Sequence, residues 1–171
     1  MTCDVRRRIC RTGQEASSLY RFPAWRSSLT WMSKKSAQIA ALIEGCRGRE
    51  LDAHYLGYFE CFNRGLFYEA HDVLEELWLT DRDGPDGAFH KGLIQLAGAF
   101  VHFKKNRLRP AAALFKLARG NLLKYPDVYL RLDVKAVLAL IQDFLDPLER
   151  ENPASDSRAP APAPKLSLRS E

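Results

Sequence analysis

Residues 88–105 read Ala88-Phe89-His90-Lys91-Gly92-Leu93-Ile94-Gln95-Leu96-Ala97-Gly98-Ala99-Phe100-Val101-His102-Phe103-Lys104-Lys105. At 3.6 residues per turn, Phe89, Leu93, Leu96, Ala97 and Phe100 gather on one side. The segment is apolar over more than half its circumference, so it is expected at the centre of the fold. A helix of that kind needs partners on several sides. The sequence supplies them in both directions.

Upstream, a short helix is expected over about 36–46, with Ile39, Leu42, Ile43 and Cys46 on one face. A second, about 51–64, aligns Leu51, Tyr55, Tyr58, Phe59 and Phe62, and Gly65 follows where a left-handed C-terminal cap is wanted. A third, about 68–79, aligns Ala70, Val73, Leu74 and Leu77 and ends in the polar turn from Asp81 to Gly87. Downstream, Pro110 opens a fifth helix to about Leu123, with Leu114, Phe115, Ala118 and Leu122 inward. Asp133 caps a sixth, about 133–145, carrying Val137, Leu140, Ile141 and Phe144, and Asp146-Pro147 is expected to end it. No segment reads as a strand. The expectation is all-α: a compact bundle of five to six antiparallel helices built from helical hairpins.

Asn63-Arg64 followed by Ala70 and Leu74 resembles Asn106-Arg107 followed by Ala113 and Leu117, an internal offset of about 43. Both read as helix, tight turn, helix, in the manner of tetratricopeptide hairpins. Two hairpins are too few for a solenoid, so a closed bundle fits better.

The 171 residues are 46% hydrophobic and 27% charged, ordinary for one globular domain with spare length at its ends. The net charge of +5 is not spread evenly. Residues 1–36 hold eight basic and two acidic residues, a charge of +6, which leaves −1 for the rest. Nucleic-acid binding by the helical part is therefore poorly supported. No run approaches the roughly 20 apolar residues of a membrane-spanning helix. Cys3, Cys10, Cys46 and Cys61 lack Cys-x-x-Cys spacing, and a reducing compartment is the default.

Residues 1–32 are Arg- and Ser-rich without sustained period, and read as a disordered leader: a transit peptide or a mis-called start ahead of Met32. The helical domain is then 33–150, and the location cytoplasmic, or a plastid or other organelle if the leader is a transit peptide. Residues 151–171, rich in Pro and Ala, read as a disordered tail.

The polar residues with chemical potential are concentrated on the third helix. His71 and Glu75 are i and i+4, so they share the border of the apolar stripe. Glu69, Asp72 and Glu76 fall on a wetter face. One imidazole and one carboxylate one turn apart suit a divalent metal, given further ligands from elsewhere. The fourth helix offers Gln95 and His102, two turns apart on one face with Gly98 between them; His90 lies about 120° round from His102. The ligand set expected for a divalent cation is His71, Glu75 and His102, with Glu75 or Glu69 moving a proton. The competing reading is a buried hydrogen-bond network in which His71, Glu75, Gln95, His102 and the Trp78 indole satisfy one another. A small-ligand pocket without metal is the third. The basic run Lys104, Lys105, Arg107 and Arg109 is read as charge at a helix end. Phosphate-loop, dinucleotide, nucleophile-elbow and His-Glu-x-x-His motifs are missing.

The stretch from Phe62 to Trp78, Phe-Asn-Arg-Gly-Leu-Phe-Tyr-Glu-Ala-His-Asp-Val-Leu-Glu-Glu-Leu-Trp, resembles the family known as domain of unknown function 309. Its second motif is matched by Lys91-Gly92-Leu93-Ile94-Gln95-Leu96-Ala97 with His102 beyond, so the likeness covers about 55–123. Asp72 stands where Glu is usual, and Pro110-Ala111-Ala112 where a Gly-Ala pair is common. The resemblance implies a small all-α bundle. Members are sometimes labelled predicted metal-dependent hydrolases, a label that points to the same His71 and Glu75. Two functions follow as alternatives: a metal-dependent hydrolase, or a non-catalytic structural or protein-interaction module. Neither substrate nor partner, a homo-oligomer included, is specified by these residues.

Overall fold

The computed structural model describes residues 37–149 and 164–169. The leader, and most of the Pro/Ala-rich stretch, lie outside the described residues. Residues 37–43 form α1, which tightens into a 3-10 turn at Glu44–Cys46. There follow α2 (Ala53–Asn63), α3 (Phe67–Thr80), α4 (Gly87–Lys104) and α5 (Leu108–Leu122). A two-stranded hairpin, β1 (Val128–Tyr129) and β2 (Leu132–Asp133), leads into α6 (Val134–Glu149). The protein is an all-α bundle in which each helix from α2 to α5 packs on the next, and α6 packs on α5.

Helix α4 is central, as its apolar circumference demands: Phe89, Leu93, Leu96, Ala97, Ala99 and Phe100 are all buried. Edge-to-face aromatic contacts tie the layers together, with Phe100 meeting Phe62 of α2, Phe115 of α5 and Phe144 of α6.

Hairpins α2–α3 and α4–α5 are equivalent, with an offset of 41 rather than 43. In the first turn the Leu66 amide donates to the Cys61 carbonyl and the Gly65 amide to Phe62; in the second, Arg107 donates to His102 and Asn106 to Phe103. Both are six-to-one and five-to-two pairs closed by a left-handed residue, Gly65 at φ 74° and Asn106 at φ 53°. Asn106 therefore corresponds to Gly65, and not to Asn63 as the Asn-Arg dipeptides suggest. With that register Ala70 matches Ala111 and Leu74 matches Phe115, all fully buried. Lys104 joins the two turns: its ammonium donates to the Gly65 carbonyl at 2.8 Å and lies over the Phe67 ring.

Three features depart from expectation. The β-hairpin was invisible because its strands are two residues long and its turn, Leu130-Arg131, lacks Asn or Gly, although both residues have positive φ. The Leu130 carbonyl accepts from the Tyr55 hydroxyl, the Arg131 carbonyl from the Arg169 amide, and the Arg131 guanidinium pairs with Glu50. Helix α6 is capped by Asp133, whose carboxylate accepts from the Ala136 amide, but it runs past Asp146-Pro147. Pro147 sits in the last turn, where it forfeits a single ladder bond while Leu145 and Leu148 keep their core contacts.

The third departure is the tail. Residues 164–169 are not a free end: Leu166 is buried, Leu168 bridges to Leu132, and Arg169 pairs with Asp133 at 2.6 Å. The Asn63 side chain donates to the Leu166 carbonyl and accepts from the Leu166 amide, each at 2.7 Å. Two leucines packed on the core, with backbone partners at Leu166, Leu168 and Arg169, offset the ordering of this segment, which the Pro/Ala composition around it does not suggest.

Candidate functional site

Helix α3 carries the site because its buried stripe of Phe67, Ala70, Val73 and Leu74 fixes which way the intervening polar residues face. His71 leaves that stripe on the α4 side. Its Nδ1 lies 3.1 Å from Asp72 Oδ1, and both side chains are partly buried. The opposite ring edge, Cδ2–Nε2, turns toward α4: a Cβ on Gly98 would stand 3.9 Å from His71 Cδ2. If Nδ1 carries the proton and donates to Asp72, Nε2 is left with its lone pair.

That edge opens on a cavity of about 230 Å³ between α3, α4 and α5, lined by Tyr68, His71, Gln95, Gly98, His102 and Leu114 among others. The structure thus brings together His71, Gln95 and His102, three of the residues singled out by their spacing. Gln95 is held in place by the Asn121 amide, which donates to its Oε1 at 2.9 Å. His102 Nδ1 is buried with no partner among the described residues.

His71, Asp72 and Glu75 form a compact group in which one ligand atom from each lies within 4.8 Å of the others. Asp72 was expected on the wetter face with Glu69 and Glu76. Its short side chain instead turns back to the adjacent imidazole. His102 faces the same cavity as His71 but is outside this three-residue group.

The remaining residues lie elsewhere. Glu69 and Asp72 border a wider groove of about 570 Å³ against α1, with Tyr68 exposed between the two spaces. Glu76 approaches the imidazole of His54 on α2, with 3.7 Å between Oε2 and Nε2. Trp78 belongs to neither space, and its buried indole N–H has no partner among the described residues. The mutual network expected of His71, Glu75, Gln95, His102 and Trp78 is therefore not the one that forms: His71 pairs with Asp72 and Gln95 with Asn121. His90 is buried against Tyr55 and Phe89, and burial pushes its pKa below the ordinary imidazole value despite Asp86, Asp52 and Asp81 nearby.

Asn121 and Tyr68 were missed. Asn121 is next to last in α5, where Asn is commonplace near a helix C-terminus, so its position carries no signal of a role. Tyr68 is 60% exposed and gives no such signal.

Residues 55–114 match the family described as domain of unknown function (DUF309), the segment that holds most of α2 and all of α3 and α4 with the cavity between them. An uncharacterized protein of Aquifex aeolicus (strain VF5) is 29% identical over 92 residues, 54% of this chain. That match covers 28% of the relative, so the chain spans little more than a quarter of its length. No helix among the described residues is long and apolar enough to cross a membrane.

Proposed function

We propose that the α3–α4 face binds a divalent cation through His71 and Glu75, with Asp72 as ligand or as the acceptor that orients the imidazole, and supports a hydrolytic reaction. The observation that carries this is the convergence of one nitrogen and two carboxylate oxygens within 4.8 Å, beside a cavity. The donor set fits: one imidazole with two carboxylates suits a borderline or hard divalent ion, and an imidazole backed by a carboxylate is the usual support for such a ligand. His102 adds a second imidazole to the lining of the same cavity.

A cation held there would supply Lewis acidity and lower the pKa of water in the cavity. The chain's own groups do the rest. Asp72 fixes the tautomer and tilt of His71. Gln95, clamped by Asn121, presents a fixed amide to a substrate, and Glu75 is placed to hold or release a proton. Glu69 faces the α1 groove, so Glu75 is the better candidate for proton transfer.

Elemental analysis of the purified full-length protein tests the reading. One equivalent of a transition metal or Mg²⁺, lost in His71→Ala and Glu75→Ala, together with metal-dependent cleavage of a generic ester or phosphoester, supports it. Metal-free wild type that neither takes up added Zn²⁺ or Mn²⁺ nor changes its unfolding midpoint with chelator would sink it. The second reading, a structural or interaction module, is favoured by the His71–Asp72 bond itself, which orients the imidazole against α4 without a metal. On that reading His71→Ala lowers stability and leaves metal content at zero.

A further inference from the structure

The two long motifs contain residues that the His71 site does not use, and two of them meet on another face. Trp78 of α3 and Lys91 of α4 line a cavity of about 460 Å³, with Arg82, Asp83, Asn121 and Lys124 around it. Gly87 and Ala88, the first residues of α4, complete the wall.

The charge balance of this space is one-sided. Three cations, Arg82, Lys91 and Lys124, face one carboxylate, Asp83. None of the three lies within salt-bridge distance of a described carboxylate. Arg82 Cζ and Lys91 Nζ each sit 5.8 Å from the centre of the Trp78 ring, so both cations rest against the indole, which does not neutralise them. Lys124 Nζ is fixed at 3.0 Å from Asn121 Oδ1. Helix α4 has 18 residues and begins here, and its N-cap residue Asp86 makes no side-chain cap to the first-turn amides. Two amides of that first turn are already used, Gly87 donating to the Gly84 carbonyl and Phe89 to the Tyr125 hydroxyl, so the three side chains carry the attraction for an anion. Three cations around one cavity with a single carboxylate among them are what a multiply charged oxyanion satisfies.

We propose that this cavity binds the phosphate group of a small molecule, held by Arg82, Lys91 and Lys124 at the start of α4 with Trp78 as its wall. The inference stands apart from the metal reading. The two are physically adjacent, however: Lys124 donates to Asn121, and Asn121 donates to Gln95 of the His71 cavity.

The test uses the full chain labelled with ¹⁵N. The Trp78 indole cross-peak, assigned by its loss in Trp78→Phe, is followed during titration with inorganic phosphate, with AMP, and with adenosine. A saturable shift with phosphate and with AMP, absent with adenosine, is expected. Equal affinities mark free phosphate as the ligand class, and tighter AMP marks an organic phosphate monoester. Lys91→Gln with Lys124→Gln, two exposed substitutions whose folding is checked by circular dichroism, should weaken binding by at least about tenfold through loss of two charge-assisted contacts. No shift of this peak up to 20-fold the concentration of protein in low salt (about 10 mM ligand, far above the range of a multi-contact site), or an unchanged affinity in the double variant, overturns the proposal.

Discussion

Asn63 and the backbone of Leu166, 103 positions apart in the sequence, are joined by two hydrogen bonds of 2.7 Å that use both ends of one amide side chain. Asn63 thereby pairs with Leu166 as a neighbouring strand would, on an extended segment whose other backbone contacts, the Leu132 bridge and the Arg131 carbonyl, lie at its far end. No other side chain reproduces both bonds. Asn63→Asp keeps the acceptor for the Leu166 amide but sets a carboxylate against its carbonyl. Asn63→Ala should cost about 1–3 kcal/mol by stranding the Leu166 groups. Hydrogen exchange read by mass spectrometry should then show residues 164–169 losing protection while α4 keeps its own. Unchanged protection of 164–169 in Asn63→Ala would show that Leu166 burial holds the segment unaided.

Two helical glycines should respond in opposite directions to alanine. A Cβ on Gly57 would lie 2.8 Å from Ile43 Cγ2 and 3.3 Å from Val73 Cγ1, so α1 must move. Overpacking of that kind costs about 1–3 kcal/mol and outweighs the roughly 1 kcal/mol of helix propensity gained. At Gly98 the nearest atoms are Leu114 Cδ1 at 3.4 Å and His71 Cδ2 at 3.9 Å, ordinary contacts. Gly98→Ala should raise stability by up to about 1 kcal/mol. Denaturant midpoints of both variants decide the matter.

Much of this architecture is legible in the sequence, and the exceptions have physical causes. Helix α4 announces itself because its apolar residues repeat over five turns. Ala70, Leu74, Ala118 and Leu122 fall where the 3.6-residue period puts them. The hairpin at 128–133 does not, since two-residue strands carry no alternation and Leu130-Arg131 gives no turn signal. Leu166 and Leu168 do alternate, but over too few residues to stand out from the prolines before them. At the site, His71, Gln95 and His102 share a cavity because helical spacing and the buried stripe together determine direction. Asp72 defeats that reasoning: a side chain 100° away on the helical wheel can still fold back on its neighbour. Trp78 defeats it too, because its placement depends on Arg82 and Lys91, which belong to a loop and another helix.

Histidine burial gives a pH dependence with a definite sign. His90 has its pKa lowered in the folded protein by burial, so the unfolded chain, with a value near 6.5, takes up the proton first. Stability contributed by neutral His90 is complete above that value and declines as pH falls through it. His90→Phe, which keeps a ring against Tyr55 and Phe89, should flatten the loss of stability between pH 7 and pH 5 relative to wild type. Parallel pH profiles for the two proteins would assign the effect to other groups.

The turn at Leu130-Arg131 holds two non-glycine residues at φ 45° and 64°. A left-handed residue with a side chain costs about 1–2 kcal/mol. The exposed pair of Arg131 with Glu50 returns about 0–1 kcal/mol. Arg131→Gly should therefore raise the unfolding midpoint slightly. A lower midpoint would mean that the guanidinium contributes more than its exposure suggests.

The twin hairpins also set an order of events during folding. Helices α2 to α5 pack on their sequence neighbours, so the loops that must close are short and entropically cheap. Such local contacts form rapidly, and on a ribosome they can form while later residues are still inside the exit tunnel. The Asn63–Leu166 contact cannot. Until residues 164–169 emerge, the C-terminal end of α2 lacks its cover, and the Arg131 carbonyl lacks the amide of Arg169. A nascent chain stalled before that point would carry a finished pair of helical hairpins with an open seam along α2, the surface on which a chaperone or a neighbouring chain would first act.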